Sequence, residues 1–296
     1  APAPLRRGDR EVALFALRVF GRRAEVAWLR WLLPESSRSA LRDLVQRARR
    51  VWRRRGRHHA LRLRWLRAGA VWACDFTDPD RPMENDFVAV FVVRDLASGQ
   101  TLASEPVRSA SAAEVERVLT RLFAVHGAPL VLKLDNGSAL VAWEVLMLLS
   151  VWGVLALRSP VRLPRYNGSC EAGIGSLSIL IDQVAAVHGR AGKWSCDDVE
   201  AARQLGNRSA DSPLDPRRTP DQVWAARRCI TRRERARFLA LYRQHDARER
   251  ELRGHKADLD VGTNEQASID RKALGRALVE AGYLEVRWRS NCPPIS

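Results

Sequence analysis

Three acidic residues stand where the local sequence would place a carboxylate at the edge of a structural element. Asp75 follows the run VWAC, Asp135 follows VLKL, and Glu171 follows an Asn-Gly turn at the start of a helical segment. Fifty-nine residues (76–134) separate the first two acids, and 35 (136–170) separate the second from the third. Carboxylates at strand ends project into the crevice where such sheets bind ligands, and hard cations such as Mg²⁺ prefer oxygen ligands. The three acids therefore indicate a candidate metal site.

Each acid also has an ordinary structural explanation. Asp75 could form a turn at a strand end, and Asp135 could belong to an Asn-Gly turn. Glu171 could be a favourable charge in the first turn of a helix, where the backbone N–H groups attract anions. The three acids taken together, each at the end or start of a predicted element, favour a common site.

The predicted elements between residues 70 and 190 follow a definite order. Strands are predicted at 70–76, 87–93, 101–106 and 130–134, with a helix from the cap at Ser111 to Gly127. The apolar stretch 138–157 predicts a helix and a fifth strand, and a last helix runs from about 169 to 188. Three strands, helix, strand, helix, strand, loop and helix is the order of the RNase H-like fold. The alternation independently predicts an α/β fold with a mixed sheet covered by helices.

Three short motifs carry a resemblance to a known family. They are W-x-x-D-F-T at 72–77, L-D-N-G at 134–137 and Y-N-G-x-x-E at 166–171, with the 35-residue gap between the last two acids. Over roughly residues 71–181 the chain resembles the catalytic core of bacterial insertion-sequence transposases and retroviral integrases, the Asp-Asp-35-Glu superfamily. A weaker echo follows in Asn207-Arg208 and Thr219-Pro220.

The resemblance implies a retroviral integrase-type RNase H-like core with helices on both faces of the sheet. It implies two Mg²⁺ or Mn²⁺ ions, with Asp75 bridging both while Asp135 and Glu171 each hold one. The implied activity is metal-dependent cleavage and strand transfer of double-stranded DNA, at element ends and target, by a homo-oligomer. Two alternatives remain: an inactive or repurposed DNA-binding relative, and an RNase H-like nuclease that only hydrolyses.

Four further residues are weaker candidates for DNA contact: Asn136, Arg165, Tyr166 and Asn167. Asn136 could orient Asp135 or touch DNA, although a plain turn explains it better. The chain also departs from the family pattern, because many relatives carry Lys or Arg four and seven residues after the glutamate. Here those positions are Gly175 and Ser178.

Composition points to a polyanionic partner. Lys and Arg total 50 against 34 for Asp and Glu, which gives a formal charge of +16, and such an excess attracts nucleic acid. An arginine-rich composition can also reflect a GC-rich genome. The five scattered cysteines include no C-x-x-C pair, which predicts neither a disulfide framework nor a zinc ribbon and favours a reducing cytoplasm, here bacterial and nucleoid-associated on DNA. No membrane association is predicted, because Glu144 and Gly153 interrupt the stretch 138–157 and a buried helix followed by a buried strand explains it better.

Three regions are predicted. Residues 1–69 form a basic helical DNA-binding or linker region, in which 51–67 could be an arm along DNA. Residues 70–190 form the core. Residues 191–296 form a helical region with a terminal helix-strand module, which is either a DNA-end-binding module, a dimerisation arm or, as slightly favoured, a satellite of the core.

Overall fold

The computed structural model describes residues 5–20, 26–56, 60–159, 168–255 and 261–289. Contacts divide the chain into two compact units, one of Ala1–Arg62 with Arg287–Ser296 and the other of Leu63–Val286. The predicted region 191–296 therefore contributes most of its residues to the same unit as the predicted core.

The first unit contains three helices around a small core. These are α1 (Arg7–Phe20), α2 (Val26–Leu32) and α3 (Arg38–Gly56). Leu41 and Val45 of α3 are buried together with Leu17 of α1 and Leu29 of α2. The Ser36 hydroxyl donates a 2.8 Å hydrogen bond to Asp9, which ties the turn before α3 to α1.

A five-stranded mixed sheet forms the centre of the second unit. After β1 (Ala60–Trp65), its strands are β2 (Val71–Thr77), β3 (Ala89–Asp95), β4 (Thr101–Val107), β5 (Val131–Leu134) and β6 (Leu155–Arg158). Their spatial order is β4-β3-β2-β5-β6. Strand β3 is antiparallel to both of its neighbours, whereas β2, β5 and β6 are mutually parallel. This arrangement is that of the RNase H-like fold, so the predicted fold is confirmed.

Seven α-helices are found among the described residues of this unit. They are α4 (Ala112–His126), α5 (Trp143–Val151), α6 (Gly168–Val187), α7 (Cys196–Ser209), α8 (Pro220–Ala225), α9 (Arg232–Leu252) and α10 (Thr263–Glu280). A last strand, β7 (Leu284–Arg289), pairs with β1 in a separate two-stranded sheet. Side chains alternate along a strand, and here the alternation divides the core in two. Trp72 and Leu132 face a cluster with α4 and α5, whereas Ala73 and Val131 face a cluster with α6, α7, α9 and α10.

The predicted helix boundaries follow from cap chemistry. The Ser111 hydroxyl accepts a hydrogen bond from the backbone N–H of Glu114 at the start of α4, and Gly127 ends that helix with φ at +77°. At the start of α7 the Ser195 hydroxyl accepts a hydrogen bond from the backbone N–H of Asp198. The Asp198 carboxylate accepts one from the backbone N–H of Ser195, and the two bonds form a capping box. These side chains satisfy backbone groups that a helix end leaves unpaired.

The structure corrects two expectations. Helix α5 is not fully buried: Val145 and Leu149 face the core, but Trp143 and Val151 are 70% and 79% exposed. Within the stretch 51–67, which was expected to be able to lie along DNA, Trp65 is buried in the core and does not face solvent. None of the described helices is long and apolar enough to cross a membrane.

The C-terminal helices are part of the core of the second unit. Phe238 of α9 and Leu274 and Leu278 of α10 lie in the same buried cluster as Val71 and Leu157 of the sheet. These helices therefore contribute side chains to the core on this face of the sheet, and the roles predicted for residues 191–296 stay predictions.

Two of the glycines in helix α6, Gly173 and Gly175, have opposite surroundings, which allows a matched test of the packing of this helix. No described atom lies within 4 Å of the Cβ position at Gly175, and the residue is exposed. We expect Gly175→Ala to raise the free energy of unfolding by about 1 kcal/mol, because alanine costs less backbone entropy in a helix. Urea denaturation of the full chain would measure the change.

Gly173→Ala is the matched variant. A Cβ at this position would lie 2.8 Å from Nη1 of Arg94, whose guanidinium also donates a 3.2 Å hydrogen bond to the Gly173 carbonyl. We expect Gly173→Ala to be less stable than Gly175→Ala by at least about 1 kcal/mol, since the lost hydrogen bond and crowding offset the entropic gain. Equal stability of the two variants would contradict this packing.

Asp198, in the first turn of α7, makes a set of polar contacts whose contribution to stability depends on pH. Its carboxylate is fully buried, accepts a 2.6 Å hydrogen bond from Arg190, and lies 2.7 Å from Nδ1 of His188. Burial by itself would raise the pKa of this carboxyl, but the hydrogen bonds from Arg190, His188 and Ser195 outweigh it and lower the pKa to about 2. The stabilising species is the ionised carboxylate.

The stability contributed by Asp198 should be present above the pKa of an unfolded aspartate, about 4, and lost as pH falls towards 2. Wild type and Asp198→Asn should therefore differ most above pH 5. The difference in unfolding free energy should narrow by roughly 2 kcal/mol between pH 5 and pH 2. Denaturation curves at several pH values would measure this difference in unfolding free energy. A difference that stays constant from pH 5 to pH 2 would contradict the stabilising role of the ionised Asp198 carboxylate.

Candidate active site

Parallel pairing of β2 and β5 brings two of the predicted acids side by side. The paired positions are Val71 with Val131, Trp72 with Leu132 and Ala73 with Lys133, a constant offset of 60 residues. Extending this register by two residues matches Asp75 with Asp135, since 75 plus 60 is 135. Neighbouring strands lie about 4.8 Å apart, and residues in register point to the same face. Both acids therefore stand at the carboxyl ends of adjacent strands, on one face of the sheet.

A shallow pocket confirms that the two acids share one site. It has a volume of about 230 Å³, and its lining residues are Asp75, Phe76, Ala110, Asp135, Gly137, Ser138, Ala139 and Leu140. The loop after β5 forms most of its wall. The carboxyl edge of a parallel strand pair is where ligands of open α/β sheets bind.

Short hydrogen bonds from the backbone orient both carboxylates. The N–H of Phe76 donates to Oδ1 of Asp75 at 2.8 Å, and the N–H of Gly137 donates to Oδ1 of Asp135 at 2.7 Å. Each bond stabilises the ionised carboxylate and restricts its rotation. The acids are thus held in defined orientations by their own loops.

Asn136 connects the ends of two strands. Its side-chain amide donates a 2.9 Å hydrogen bond to the carbonyl oxygen of Ser159, and the backbone N–H of Ser159 donates to the carbonyl oxygen of Leu134 at 3.0 Å. This bridge fixes the turn that follows Asp135 against the end of β6. The roles suggested for Asn136 from the sequence, orienting Asp135 and contacting DNA, stay predictions.

Helix α6 packs on the face of the sheet that carries the acids. The hydroxyl of Ser178 lies 3.0 Å from that of Thr77, which is two residues beyond Asp75 on the same face of β2. Ile174 of α6 is buried in the cluster on this face. Glu171 lies in the first turn of this helix, seven residues before Ser178.

The remaining predicted site residues cannot be placed by their side chains. The side chain of Glu171, and Arg165, Tyr166 and Asn167 entirely, lie outside the described residues. Their predicted roles in metal and DNA binding stay predictions. Among the described residues, no group of three His, Cys, Asp or Glu side chains is close enough to hold a metal ion.

The donor chemistry nevertheless fits the implied ions. The two described acids supply carboxylate oxygens, the ligands that Mg²⁺ and Mn²⁺ prefer. Cys74 is buried in the cluster on the opposite face of the sheet, and no histidine or cysteine lines the pocket. The described part of this pocket therefore lacks the sulfur and imidazole ligands that zinc and softer metals prefer.

Two cationic residues on the face of the sheet that carries the acids were not predicted from the sequence. Lys133 precedes Asp135 by two residues and is 2% exposed, and Arg94 of β3 is in register with Ala73. The alternation of side chains along β5 was a usable signal, because it places Lys133 on the face of Asp135.

Comparison with known proteins identifies this region. Residues 66–164 match the family model of the integrase core domain. The matched segment includes Asp75 and Asp135 and ends before Glu171. The predicted membership of the transposase and integrase superfamily is confirmed by this domain. Proteins of this family are polynucleotidyl transferases.

Solved structures similar to this chain are viral integrases. The catalytic core domain of BIV integrase is 18% identical, with a TM-score of 0.42 over 53% of this chain and 94% of that one. The HTLV-2 integrase catalytic core domain in complex with magnesium is 17% identical, with a TM-score of 0.43 over 54% and 99%.

A simian T-cell lymphotropic virus intasome, in complex with a PP2A regulatory subunit, contains a chain that is 16% identical. Its TM-score is 0.47 over 69% of this chain and 76% of that one. At this level of similarity the viral structures carry no conclusion about activity, and the fold assignment rests on the strand order. A search of curated protein sequences finds no significant match.

Gly137 provides a test of how Asp135 is held. A Cβ on this residue would lie 3.0 Å from Oδ1 of Asp135, the oxygen that the Gly137 N–H now binds. We expect Gly137→Ala to turn the carboxylate away and to weaken Mn²⁺ binding several-fold, while the fold is kept. Isothermal titration with Mn²⁺ would measure the loss.

Gly175→Ala serves as the control, since its Cβ position is open. Unchanged Mn²⁺ affinity in Gly137→Ala would mean that the orientation of Asp135 does not matter for the metal.

Proposed function

We propose that this protein is an Asp-Asp-Glu transposase or integrase that cuts and joins DNA with divalent metal ions. The observation that carries the proposal is that Asp75 and Asp135 line one pocket at the ends of adjacent parallel strands, within the segment that matches the integrase core domain. A site of this kind has the carboxylates that phosphoryl transfer needs at one edge of a rigid sheet.

In this proposal Asp75, Asp135 and Glu171 hold two Mg²⁺ or Mn²⁺ ions. Such ions stabilise the attacking and leaving oxygens of an in-line displacement at phosphorus. The backbone N–H groups of Phe76 and Gly137 hold two of the acids in place. Asn136 keeps the loop of Asp135 fixed to β6, so that little reorganisation accompanies metal binding.

The proposed reaction has two steps on double-stranded DNA. A water molecule first attacks a phosphodiester at the element end, so that one P–O bond forms, another breaks and a 3′-hydroxyl leaves. That hydroxyl then attacks a phosphodiester of the target, which joins the strands and releases a target 3′-hydroxyl. In each step one P–O bond forms and one breaks, the nucleophile loses a proton to solvent and the leaving 3′-oxygen takes one up, so no oxidant or external energy source is required.

The formal charge of +16 supports DNA as the partner. Exposed arginines on α9, among them Arg233, Arg237, Arg243 and Arg248, add a basic surface to the second unit. We propose further that the active form is a homo-oligomer on paired DNA ends. The proposed compartment is the bacterial cytoplasm, with the protein at the nucleoid when bound to DNA.

A nicking and strand-transfer assay tests the function. Purified protein would be incubated with labelled duplexes that carry the ends flanking its gene, with Mg²⁺ or Mn²⁺. We expect metal-dependent nicking and joining that Asp75→Asn, Asp135→Asn and Glu171→Gln each reduce by at least about 10³-fold, because each removes a metal-binding charge. DNA binding, measured by fluorescence anisotropy, should persist in all three.

Asp78→Asn is the control, because this acid lies close in sequence but does not line the pocket. Metal-dependent nicking without joining would indicate a nuclease that only hydrolyses. DNA binding with no chemistry under either metal would indicate a repurposed DNA-binding relative.

A further inference from the structure

A buried lysine lies beneath the proposed metal site. Lys133 of β5 is 2% exposed, and its strand neighbours on the same face are Val131 and Asp135. An ammonium group that is removed from water is costly unless anions lie nearby. The position of Lys133 therefore requires a nearby negative charge.

Strand register identifies where that charge is. Lys133 of β5 and Arg94 of β3 both pair with Ala73 of β2, so the two cations flank this small residue. Asp75 and Asp135 occupy the next outward positions on the same face, two residues or roughly 6.6 Å along the strands. The face thus carries a row of two cations directly below a row of two acids.

The rest of this face is apolar or uncharged. The strand positions below the two cations include Val71 and Val131, and α6 covers them with Ile174, Leu177 and Ile181. Among the described strand residues that point to this face, the acids are Asp75 and Asp135. Asp75 and Asp135 are therefore the acids next to Lys133 along the described strands of this face, and because the lysine is buried its field is screened little by salt.

We infer that Lys133, assisted by Arg94, is a positioning residue that keeps the divalent-metal affinity of the DNA-free site low. The inference rests on the proposed metal site. One fixed positive charge within about 7 Å opposes the arrival of a doubly charged ion and offsets the repulsion between the acids. A DNA phosphate brings additional negative charge into the pocket, so metal and DNA bind cooperatively, each raising the affinity for the other.

Lys133→Met is the decisive variant, since methionine fills a similar volume without the charge. Isothermal titration of the full chain with Mn²⁺ in the absence of DNA would measure the dissociation constant. We expect Lys133→Met to bind Mn²⁺ at least tenfold more tightly than wild type. If Lys133 served only in packing, its replacement would leave the Mn²⁺ affinity unchanged or lower it. A higher Mn²⁺ affinity therefore distinguishes the electrostatic role from a packing role.

Lys193→Met is the matched control, because Lys193 is exposed and should leave Mn²⁺ affinity at the wild-type value. If Lys133→Met does not fold, as thermal unfolding would show, Arg94→Met tests the same charge row and should raise the affinity several-fold. Unchanged or weaker Mn²⁺ binding in the folded variant overturns the inference. Failure of the proposed function would be seen separately, as Mn²⁺ affinity and DNA joining that Asp135→Asn leaves unchanged.

Discussion

The parallel pairing of β2 with β5 is the constraint on which the candidate site depends. Its offset of 60 residues converts a long separation in sequence into direct adjacency of Asp75 and Asp135. A slip of one residue would turn one acid to the opposite face, into the cluster around Trp72 and Phe123. The apolar residues that alternate with the acids thus fix the register, and burial of the sheet on both faces holds it.

Interactions far from the acids keep that pairing in place. Asp95 at the end of β3 is fully buried and accepts hydrogen bonds from the N–H groups of Gly69 and Ser98, both at 2.8 Å. Burial raises the pKa of Asp95 despite these bonds. At the sheet edge, the side-chain amide of Asn207 exchanges two 2.9 Å hydrogen bonds with the backbone of Thr101. The amide takes the place of a neighbouring strand, which protects an edge that would otherwise be open to pairing.

Local patterns predicted the strands and helices and their order along the chain, because apolar alternation and cap residues act within a few positions. The same logic predicted α4 from Ser111 and Gly127, and it placed the first two acids at strand ends. It failed for Trp65 and Trp143, because the burial of a single aromatic residue depends on distant partners that share no local signal. Trp65 occurs in an arginine-rich stretch but is buried, whereas Trp143 begins an apolar helix and is exposed.

The positions of the two cations below the acids could likewise be predicted only in part from local sequence. Alternation along β5 assigns Lys133 to the face of Asp135 from sequence, but the second cation of the row is found only through the antiparallel register that sets Arg94 beside Ala73. In the proposed site, two cations one row below the acids lower the affinity of the empty pocket for a divalent ion, and an entering phosphate brings negative charge that offsets them. The fold achieves this without an additional element, because a sheet already spaces its side chains at the required distance.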